Sequence, residues 1–381
     1  MLFPVLILLS ILAGQLIKIP LITNGGATIL DLSVLVLCTF GLFKLKFQFK
    51  SPPLFIKFGL IFASIATLSL ILTPLPLNLS EKIISFFYTV RFASYLLLGW
   101  LIYSSIFPDI RKNIEKVLIY SGFILSLIGL LQFIFVPDLG FLSAEGWDPH
   151  VLRTVATFLD PNFMGAYFAL TLLLITHANI FRNNLNLKKL LFIIIFIALF
   201  TTFSRGAYLV FFVSLTVLSI LKRSTHLGIL TILLSFSLAV GYFSYNRQIA
   251  EPRHIDRTES ASYRLGTWQQ GLTIFQRNPI LGVGFNTYRK ALQQYNLGSE
   301  QFILSHGASS NDSSLLYVAA TTGIIGLISY LFFLLAMITQ RKNPVLQAGL
   351  LGLLAQSFFA NTLFYPFLFI WLILVAVKEN N

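Results

Sequence analysis

Basic side chains concentrate in one polar stretch of this chain, roughly Tyr245 to Ser313, within a sequence that is otherwise almost continuously apolar. Guanidinium groups keep their positive charge at any relevant pH and match phosphate oxygens with two parallel hydrogen bonds. A cluster of arginines there predicts an anion site, and a lipid-linked pyrophosphate fits such a site at membrane level. The stretch includes Arg247, Arg253, Arg257, Arg264, Arg277, Arg289, Lys290 and His306.

A simpler explanation of the same charges stays open. In a solvated domain, the arginines would pair with acidic neighbours such as Glu251, Asp256, Glu259 and Glu300, or touch lipid headgroups. Nucleic acid is a poor partner, because no nucleic-acid-binding module accompanies the charge. Nucleotide chemistry is also unsupported, since the chain contains no G-x-x-x-x-G-K-[ST] loop that would cradle phosphates.

Three charged positions lie within or beside apolar runs. Arg91 lies inside such a run, where a charge is a functional candidate by default and snorkelling to the outer interface is the alternative. Arg205 follows Ser204 in a short turn between two apolar runs. Asp160 precedes Pro161, so it is placed to cap a helix whose positive end would also attract an anion.

The composition indicates which elements must position these side chains. Of 381 residues, 56% are hydrophobic and 11% are charged, and the mean hydropathy is +0.81. A soluble domain cannot hide that much apolar surface, so most of it must face lipid. The first run, Leu2 to Ile17, lacks the basic start and cleavage site of a signal peptide and is expected to remain as the first span. The single cysteine, Cys38, excludes a disulfide framework and a cysteine-based metal site.

Apolar runs divide the chain into about twelve predicted transmembrane helices, since a helix needs about 20 apolar residues to cross a bilayer. The predicted fold is an all-α polytopic membrane protein with one large external loop. Its parts are N-terminal helices in residues 1–157, central helices in 158–244, the basic loop in 245–313 and C-terminal helices in 314–381. The predicted spans are 2–18, 29–46, 54–73, 83–106, 116–136, 162–180, 188–203, 206–221, 226–244, 314–339, 344–363 and 365–378.

The lysines and arginines predict how the helices are oriented. Short cytoplasmic loops retain positive charge, whereas long loops cross the membrane largely regardless of it. With the N-terminus inside, the short outer loops contain only Lys18, Lys82, Arg153 and Arg205. Both termini are therefore predicted to be cytoplasmic and the basic loop external. The inner loops then contain Lys44, Lys46, Lys50, Lys57, Arg111, Lys112, Lys116, Arg182, Lys188, Lys189, Lys222, Arg223, Arg341, Lys342 and Lys378.

Five short motifs follow one another between Phe158 and Leu327. They are Phe158-Leu159-Asp160-Pro161-Asn162, Thr202-Phe203-Ser204-Arg205-Gly206, Arg264 with Trp268, Pro279-Ile280-Leu281-Gly282-Val283-Gly284, and Thr321-Thr322-Gly323-Ile324-Ile325-Gly326-Leu327. In this order they resemble the O-antigen ligase and polymerase superfamily. The resemblance implies about twelve helices of the GT-C type and a large external loop late in the chain. It also implies transfer of a glycan from undecaprenyl pyrophosphate to an acceptor hydroxyl without a metal, cofactor or nucleotide.

The same resemblance implies roles for named side chains. Negative charge develops on the leaving pyrophosphate, and arginines can stabilise it in place of a metal. Arg205 and Arg264 are assigned to that role, with Arg91 as support. Aromatic residues near the interface also have an ordinary explanation as members of the membrane's aromatic belt. The further substrate-binding candidates are Asn162, Tyr263, Trp268 and Asn311.

The general base is the point at which the sequence departs from the family pattern. The family has a histidine shortly before the Gly-Ile-Ile-Gly helix, and spacing back from Gly323 lands near Asp312 instead. The nearby histidine is His306, whose side chain titrates near neutrality and suits a base. Either His306 takes the acceptor proton or Asp312 has acquired the role.

The sequence therefore predicts a glycosyltransferase of the O-antigen ligase type in the bacterial inner membrane, active at the external, periplasmic face. Its expected partners are an undecaprenyl-pyrophosphate-linked glycan donor, a glycan, lipid or protein acceptor, and the lipid bilayer. A surface-polysaccharide polymerase of the same superfamily stays open, because acceptor choice depends on cavity shape. A polysaccharide or lipid transporter is the alternative from another class, and the chain lacks the internal symmetry that many transporters show.

Overall fold

The computed structural model describes residues 2–22, 25–44, 50–145, 147–148, 150–178, 180–181, 183–250, 259–340 and 343–378. These residues form a helical bundle with one short antiparallel ribbon of β1 (Lys18–Ile22) and β2 (Gly25–Thr28). The predicted all-α class is confirmed. The helices are α1 (Leu2–Ala13), α2 (Ile29–Lys44), α3 (Leu54–Ile71), α4 (Leu79–Tyr103), α5 (Pro108–Phe135), α6 (Pro161–His177), α7 (Leu185–Phe200), α8 (Arg205–Leu221), α9 (Thr225–Tyr245), α10 (Glu259–Arg277), α11 (Tyr288–Gln294), α12 (Glu300–Leu304), α13 (Ser314–Ile338), α14 (Pro344–Gln356) and α15 (Pro366–Val377).

Membrane-spanning character is clearest in five of the described helices, which are long and apolar enough to cross a bilayer: α3, α4, α5, α9 and α13. Four shorter helices, α1, α8, α14 and α15, are also apolar. Each predicted span overlaps one of the helices α1 to α9 or α13 to α15. The figure of twelve membrane crossings stays a prediction.

The helices that carry the candidate site begin at polar caps. Asp160 caps α6 with Pro161 at the first helical position, as the sequence predicts. Ser204 caps α8, and Ser313 caps α13. Each cap satisfies backbone N–H groups that have no partner inside the helix, so the three starting points follow from local chemistry.

Two predicted spans, 2–18 and 344–363, end well before their predicted bounds. The first helix ends at Ala13 rather than near residue 18, because Gly14 turns the chain at φ +58° where it abuts Thr157. A Cβ at Gly14 would lie 2.4 Å from the Thr157 carbonyl oxygen. Helix α14 ends at Gln356, and a short 3-10 turn at Thr362–Phe364 precedes α15.

The predicted basic loop of residues 245–313 is largely helical in its described part. It contains α10, α11 and α12, and α10 packs along α13. The sequence analysis treated this segment as one loop and missed these helices. Residues 251–258 lie outside the described residues, and so do four residues of the charge analysis: Glu251, Arg253, Asp256 and Arg257.

The turn formed by residues 279–284 packs against a kink in α13. Gly323 adopts φ 64° and ψ −167°, a conformation that is essentially restricted to glycine. A Cβ at Gly323 would lie 2.1 Å from the Ile280 carbonyl oxygen. The Gly284 N–H donates to the Thr321 carbonyl oxygen at 2.9 Å across the same joint. Two motifs that lie far apart in the sequence therefore form one contact, which fixes the end of α10 against α13.

Basic residues from the predicted inner loops lie at the opposite end of the bundle from the helix starts of α6, α8 and α13. Lys378 forms an ion pair with Glu115. The Arg111 guanidinium donates from Nε to the Val377 carbonyl oxygen at 3.3 Å, and Lys188 contacts the end of α6. This segregation supports the predicted orientation, which stays a prediction. Four further inner-loop residues lie outside the described part of the chain: Lys46, Arg182, Arg341 and Lys342.

Candidate functional site

The starts of α6, α8 and α13 meet at one face of the bundle. The Ser204 hydroxyl donates to Asn162 Oδ1 at 2.7 Å and joins the first turns of α8 and α6. Gln356, at the end of α14, donates from Nε2 to the Asn162 carbonyl oxygen at 3.1 Å. The Ser314 N–H in the first turn of α13 donates to the Ser357 carbonyl oxygen at 2.8 Å. Three positive helix ends therefore lie close together, an arrangement that favours an anion.

The guanidinium of Arg264, on α10, lies within electrostatic reach of charged groups at all three helix starts: Asp160, Arg205 and Asp312. Burial lowers the pKa of Arg264 most, and the positive charge of Arg205 lowers it further. The carboxylates of Asp312 and Asp160 act in the opposite direction. The structure thus brings together the two arginines that the sequence analysis selected.

Arg205 occupies the first position of α8 and is exposed. Its guanidinium carbon lies 5.6 Å from the ring centroid of Tyr242, within the range of a cation–π contact. Arg153 supports the same turn, because its Nε donates to the Thr202 carbonyl oxygen at 2.9 Å. In the sequence, Arg153 stands out only as one of four basic residues in the predicted short outer loops. Nothing further in the sequence indicates its contact with Thr202.

Asp312 lies just before α13, outside the membrane-spanning helix and within electrostatic reach of Arg264. Its Oδ2 is 2.9 Å from the Thr267 hydroxyl on α10. Burial raises the pKa of Asp312, while the Thr267 hydrogen bond and the charge of Arg264 oppose that rise. The group is therefore a carboxyl whose proton affinity exceeds that of an ordinary aspartate, as proton transfer near neutral pH requires.

Asp148 is a further carboxylate that the sequence analysis did not single out. It lies in the segment between α5 and α6, and its negative charge raises the pKa of both Asp160 and Asp312, although burial is the largest cause for each. Burial is also the first cause that raises the pKa of Tyr263, followed by the charge of Asp148. The site therefore combines carboxylates with the arginines, and tertiary packing alone brings Asp148 to it.

His306 lies at the rim of this group. It is exposed, in a 3-10 turn of residues His306–Ser309, and its ring is 5.0 Å from that of Trp147. Trp147 precedes Asp148 in the chain, so the histidine borders the carboxylates. The two candidate bases therefore differ in their surroundings. Asp312 has a hydrogen bond from Thr267 and feels the charge of Arg264, whereas the His306 ring packs against Trp147.

The two aromatic candidates on α10 differ in their surroundings. Trp268 donates from Nε1 to the Phe358 carbonyl oxygen at 2.9 Å and stacks on Phe359, so it holds α10 against the end of α14. Tyr263 is 54% exposed and meets Phe302 edge to face at 5.4 Å. Tyr263 has a surface available for a ligand, whereas Trp268 uses its polar atom inside the protein.

Asn311 is fully buried and bonded on both sides of its amide. Its Nδ2 donates to the Tyr288 hydroxyl at 2.8 Å and to the Thr267 carbonyl oxygen, and its Oδ1 accepts from the Ser313 N–H at 2.8 Å. These bonds fix the backbone on either side of Asp312. A direct contact between Asn311 and substrate stays a prediction, and the geometry favours a positioning role.

Arg91 lies apart from Arg205 and Arg264, against α2 and the β-ribbon. Its Nη2 contacts Asp31 Oδ2 at 2.7 Å and the Gly26 carbonyl oxygen at 3.3 Å. The Tyr95 hydroxyl donates to the other oxygen of the same carboxylate at 2.9 Å. The sequence analysis missed this partner, because Asp31 and Arg91 belong to different helices. Substrate binding by Arg91 stays a prediction.

An apolar cavity of about 550 Å³ opens near the turn that carries Arg205, between the end of α7 and the C-terminal half of α9. Phe203 and Tyr245 line it and stack on each other at 4.2 Å. Phe236 and Val240 from α9 form its outer wall and remain largely exposed. The cavity thus connects a lipid-facing helix with the turn that carries Arg205.

Comparison with known protein families gives one match, which covers part of the chain. Residues 190–331 match the family described as O-antigen ligase. Among curated proteins, none matches the chain. The matched region contains Arg205, Arg264, His306 and Asp312, whereas Asp160 precedes it. The resemblance to the O-antigen ligase superfamily is confirmed over this region.

Proposed function

We propose that this membrane protein transfers a glycan from a polyprenyl pyrophosphate, of the undecaprenyl type, to an acceptor hydroxyl at the external face of the bacterial inner membrane. One observation carries the proposal: the guanidinium of Arg264 lies within electrostatic reach of Arg205 and of the Asp312 carboxyl, where the starts of α6, α8 and α13 meet. The family match supports the same class of reaction. The reaction is proposed to need no metal, since the two guanidinium groups supply the positive charge.

The arginines are proposed to hold the pyrophosphate and stabilise its transition state. The acceptor oxygen attacks the anomeric carbon, and the bond from that carbon to the pyrophosphate oxygen breaks. Its electron pair leaves with the pyrophosphate, where negative charge grows. The guanidinium groups of half-buried Arg264 and exposed Arg205 meet that charge without having to reorganise at the moment of reaction. Such electrostatic stabilisation is the largest contribution in many enzymes.

Asp312 is proposed as the base that takes the proton from the acceptor hydroxyl. Its raised pKa gives it the proton affinity, and Thr267 and Asn311 hold it in place. His306 is the second candidate and lies at the rim of the same group, against Trp147. The structure favours Asp312, because that carboxyl is largely buried and held by the Thr267 hydroxyl, whereas His306 is exposed.

The polyprenyl chain of the donor is proposed to occupy the apolar cavity near the turn that carries Arg205. Tyr242 contacts Arg205 from α9, and the same helix supplies Gly241 and Tyr245 to the cavity. A lipid-linked donor needs its pyrophosphate and its chain bound in adjoining regions. The position of the cavity between lipid-facing α9 and the arginines meets that requirement.

Reconstituted transfer tests the proposal. The full chain in lipid nanodiscs is supplied with an undecaprenyl-pyrophosphate-linked oligosaccharide and an acceptor, and product is followed by mass spectrometry. Arg264→Ala and Arg205→Ala should each lower turnover on the order of 10²- to 10³-fold. Lysine at either position should restore little, because it lacks the planar fork.

Arg277→Ala provides the matched control, since Arg277 lies on the same helix as Arg264 but stacks on Tyr295 at 4.6 Å. Its turnover should stay near the wild-type level. Wild-type turnover in Arg264→Ala would overturn the proposed anion site. Arg264 would then be an ordinary solvated charge, as in the simpler explanation of the basic stretch.

A further inference from the structure

A second group of cations lies on the outer face, around the β-ribbon. The ammonium of Lys18, in β1, lies 4.4 Å from the ring centroid of Trp147, and the Trp147 ring lies 5.0 Å from that of His306. Lys18 is exposed as a residue, but partial burial of its ammonium lowers its pKa, and the nearby positive charge of Arg91 lowers it further. Lys18 is therefore held close to a like charge, a situation that a bound anion would relieve.

Arg289, on α11, reaches the same region through its contacts with Ser305 and Tyr88. Its Nη2 donates to the Ser305 carbonyl oxygen at 2.6 Å, next to His306 in the chain. Its Nε is buried and has no hydrogen-bond partner within the described part of the chain. An unpaired guanidinium N–H in a buried position is costly, so this donor calls for an acceptor.

Tyr88 links Arg289 to Arg91. The guanidinium carbon of Arg91 lies 4.8 Å from the Tyr88 ring centroid, and Tyr88 also interacts electrostatically with Arg289. Among the described side chains, Asp31 is the carboxylate that forms an ion pair with this group. Lys18, Arg91 and Arg289 together thus carry an excess of positive charge.

An apolar cavity opens directly beside Arg91. It has a volume of about 90 Å³ and lies between α2, α4 and the β-ribbon. Leu35 and Phe87 line it and remain substantially exposed, and Ile84 completes the apolar wall, while Tyr88 and Arg91 form its polar edge. Its size suits a narrow hydrocarbon segment rather than a glycan. A charged edge above an apolar cavity matches an amphiphilic ligand.

We propose that Lys18 and Arg91, together with Arg289 on the other side of Tyr88, form a second site that binds the headgroup of an anionic membrane lipid, whose chain enters the cavity beside Arg91. The ligand contacts would then tie together the β-ribbon, the Trp147 segment and the segment that runs from Ser305 to Asp312. This site differs from the proposed donor site, where Arg205 and Arg264 lie. Because the site adjoins the segment that carries His306 and Asp312, lipid binding supports the active arrangement, a consequence that rests on the proposed function.

Lipid binding can be measured independently of transfer. The delipidated full chain is titrated with phosphatidylglycerol in mixed micelles, and bound lipid is counted by native mass spectrometry. Phosphatidylglycerol should bind, whereas phosphatidylcholine and inorganic phosphate should not compete at equal concentration. Lys18→Gln and Arg289→Gln should each weaken phosphatidylglycerol binding by about tenfold, the effect expected from losing one charge-assisted hydrogen bond.

Lys290→Gln is the matched control, because Lys290 neighbours Arg289 in the chain but pairs with Glu81 at 2.6 Å. It should bind phosphatidylglycerol like the wild type. Arg264→Gln should also keep wild-type lipid binding while it loses transfer, which separates this proposal from the proposed function. Wild-type affinity in both Lys18→Gln and Arg289→Gln would overturn the site. Equal competition by inorganic phosphate would overturn its assignment to a lipid.

Discussion

The hydroxyl of Thr267 lies 2.9 Å from Oδ2 of Asp312, and this contact joins α10 to the segment that leads into α13. The same hydroxyl lies 2.9 Å from the Arg264 carbonyl oxygen one helical turn earlier. A threonine carries one hydroxyl proton, so these two acceptors compete for it unless Asp312 itself carries a proton. The contact therefore ties the protonation of the proposed base to the helix that carries Arg264.

Removing this hydroxyl should shift the pH dependence of transfer. A base acts in its deprotonated form, so turnover falls as the pH drops through the pKa of Asp312. The Thr267 hydrogen bond stabilises the carboxylate and lowers that pKa, in opposition to burial. In Thr267→Val the pKa should rise, and the acidic limb of kcat should move to higher pH. The measurement is a pH series of initial rates in nanodiscs.

Thr267→Ser is the control for this shift, because it keeps a hydroxyl at the same place. Its acidic limb should coincide with that of the wild type, even if the loss of the methyl group lowers stability. An unchanged limb in Thr267→Val would contradict the role of Asp312 as the base, because the Thr267 hydroxyl is bonded directly to that carboxyl.

Comparison of Asp312→Asn with His306→Ala decides between the two candidate bases. Loss of a general base typically lowers the rate on the order of 10²- to 10⁴-fold, and we expect a loss of this size in Asp312→Asn. His306→Ala should be milder, because His306 is exposed and packs on Trp147. Donor binding should change little in either variant. Single-turnover rates and donor affinity are the two measurements.

The reverse ranking would assign the base to His306, and the acidic limb would then lie near the imidazole pKa of about 6.5. Wild-type turnover in both variants would remove side-chain base catalysis from this segment. Arginine electrostatics would in that case account for the rate enhancement.

Local chemistry explains the parts of this site that the sequence predicted. Asp160 before Pro161 is a cap signal that acts within one helical turn, and the structure contains that cap. Arg205 at the start of α8 follows from the short polar turn between two apolar runs. The pairing of Arg205 with Arg264 came from the order of family motifs, because composition alone does not relate positions this far apart.

Long-range packing explains what the sequence missed. Asp148 reaches the site from the segment between α5 and α6, and no periodicity in that segment marks it. Asp31 pairs with Arg91 across two helices. The helices α10 to α12 were missed because their polar composition resembles a loop, and the packing of α10 and α11 against α13 is visible only in three dimensions.

Gly323→Ala should destabilise the protein by disrupting the joint between α13 and residues 279–284. The backbone conformation alone costs a non-glycine residue on the order of 1–3 kcal/mol, and the added Cβ would also collide with the Ile280 carbonyl oxygen. Thermal unfolding in detergent should show a clear drop in Tm. Gly266→Ala is the control, because a Cβ at Gly266 meets nothing within 4 Å and alanine favours the α10 helix. Equal Tm values for the two variants would contradict this account of the kink.

Cysteine labelling tests the orientation on which the external active face depends. Cys38 is buried, and the substitution Cys38→Ser removes any background labelling of the native cysteine. With both termini cytoplasmic, a cysteine at exposed Gln269 in α10 should react with an impermeant maleimide in intact cells. A cysteine at exposed Asn183, before α7, should react only after permeabilisation, because the inner-loop lysines hold that end in the cytoplasm. A cysteine at buried Thr321 should stay unlabelled in both conditions. Labelling at that position would indicate that the protein had partly unfolded. Labelling of position 183 in intact cells would invert the topology and place Arg205, Arg264 and Asp312 on the cytoplasmic side.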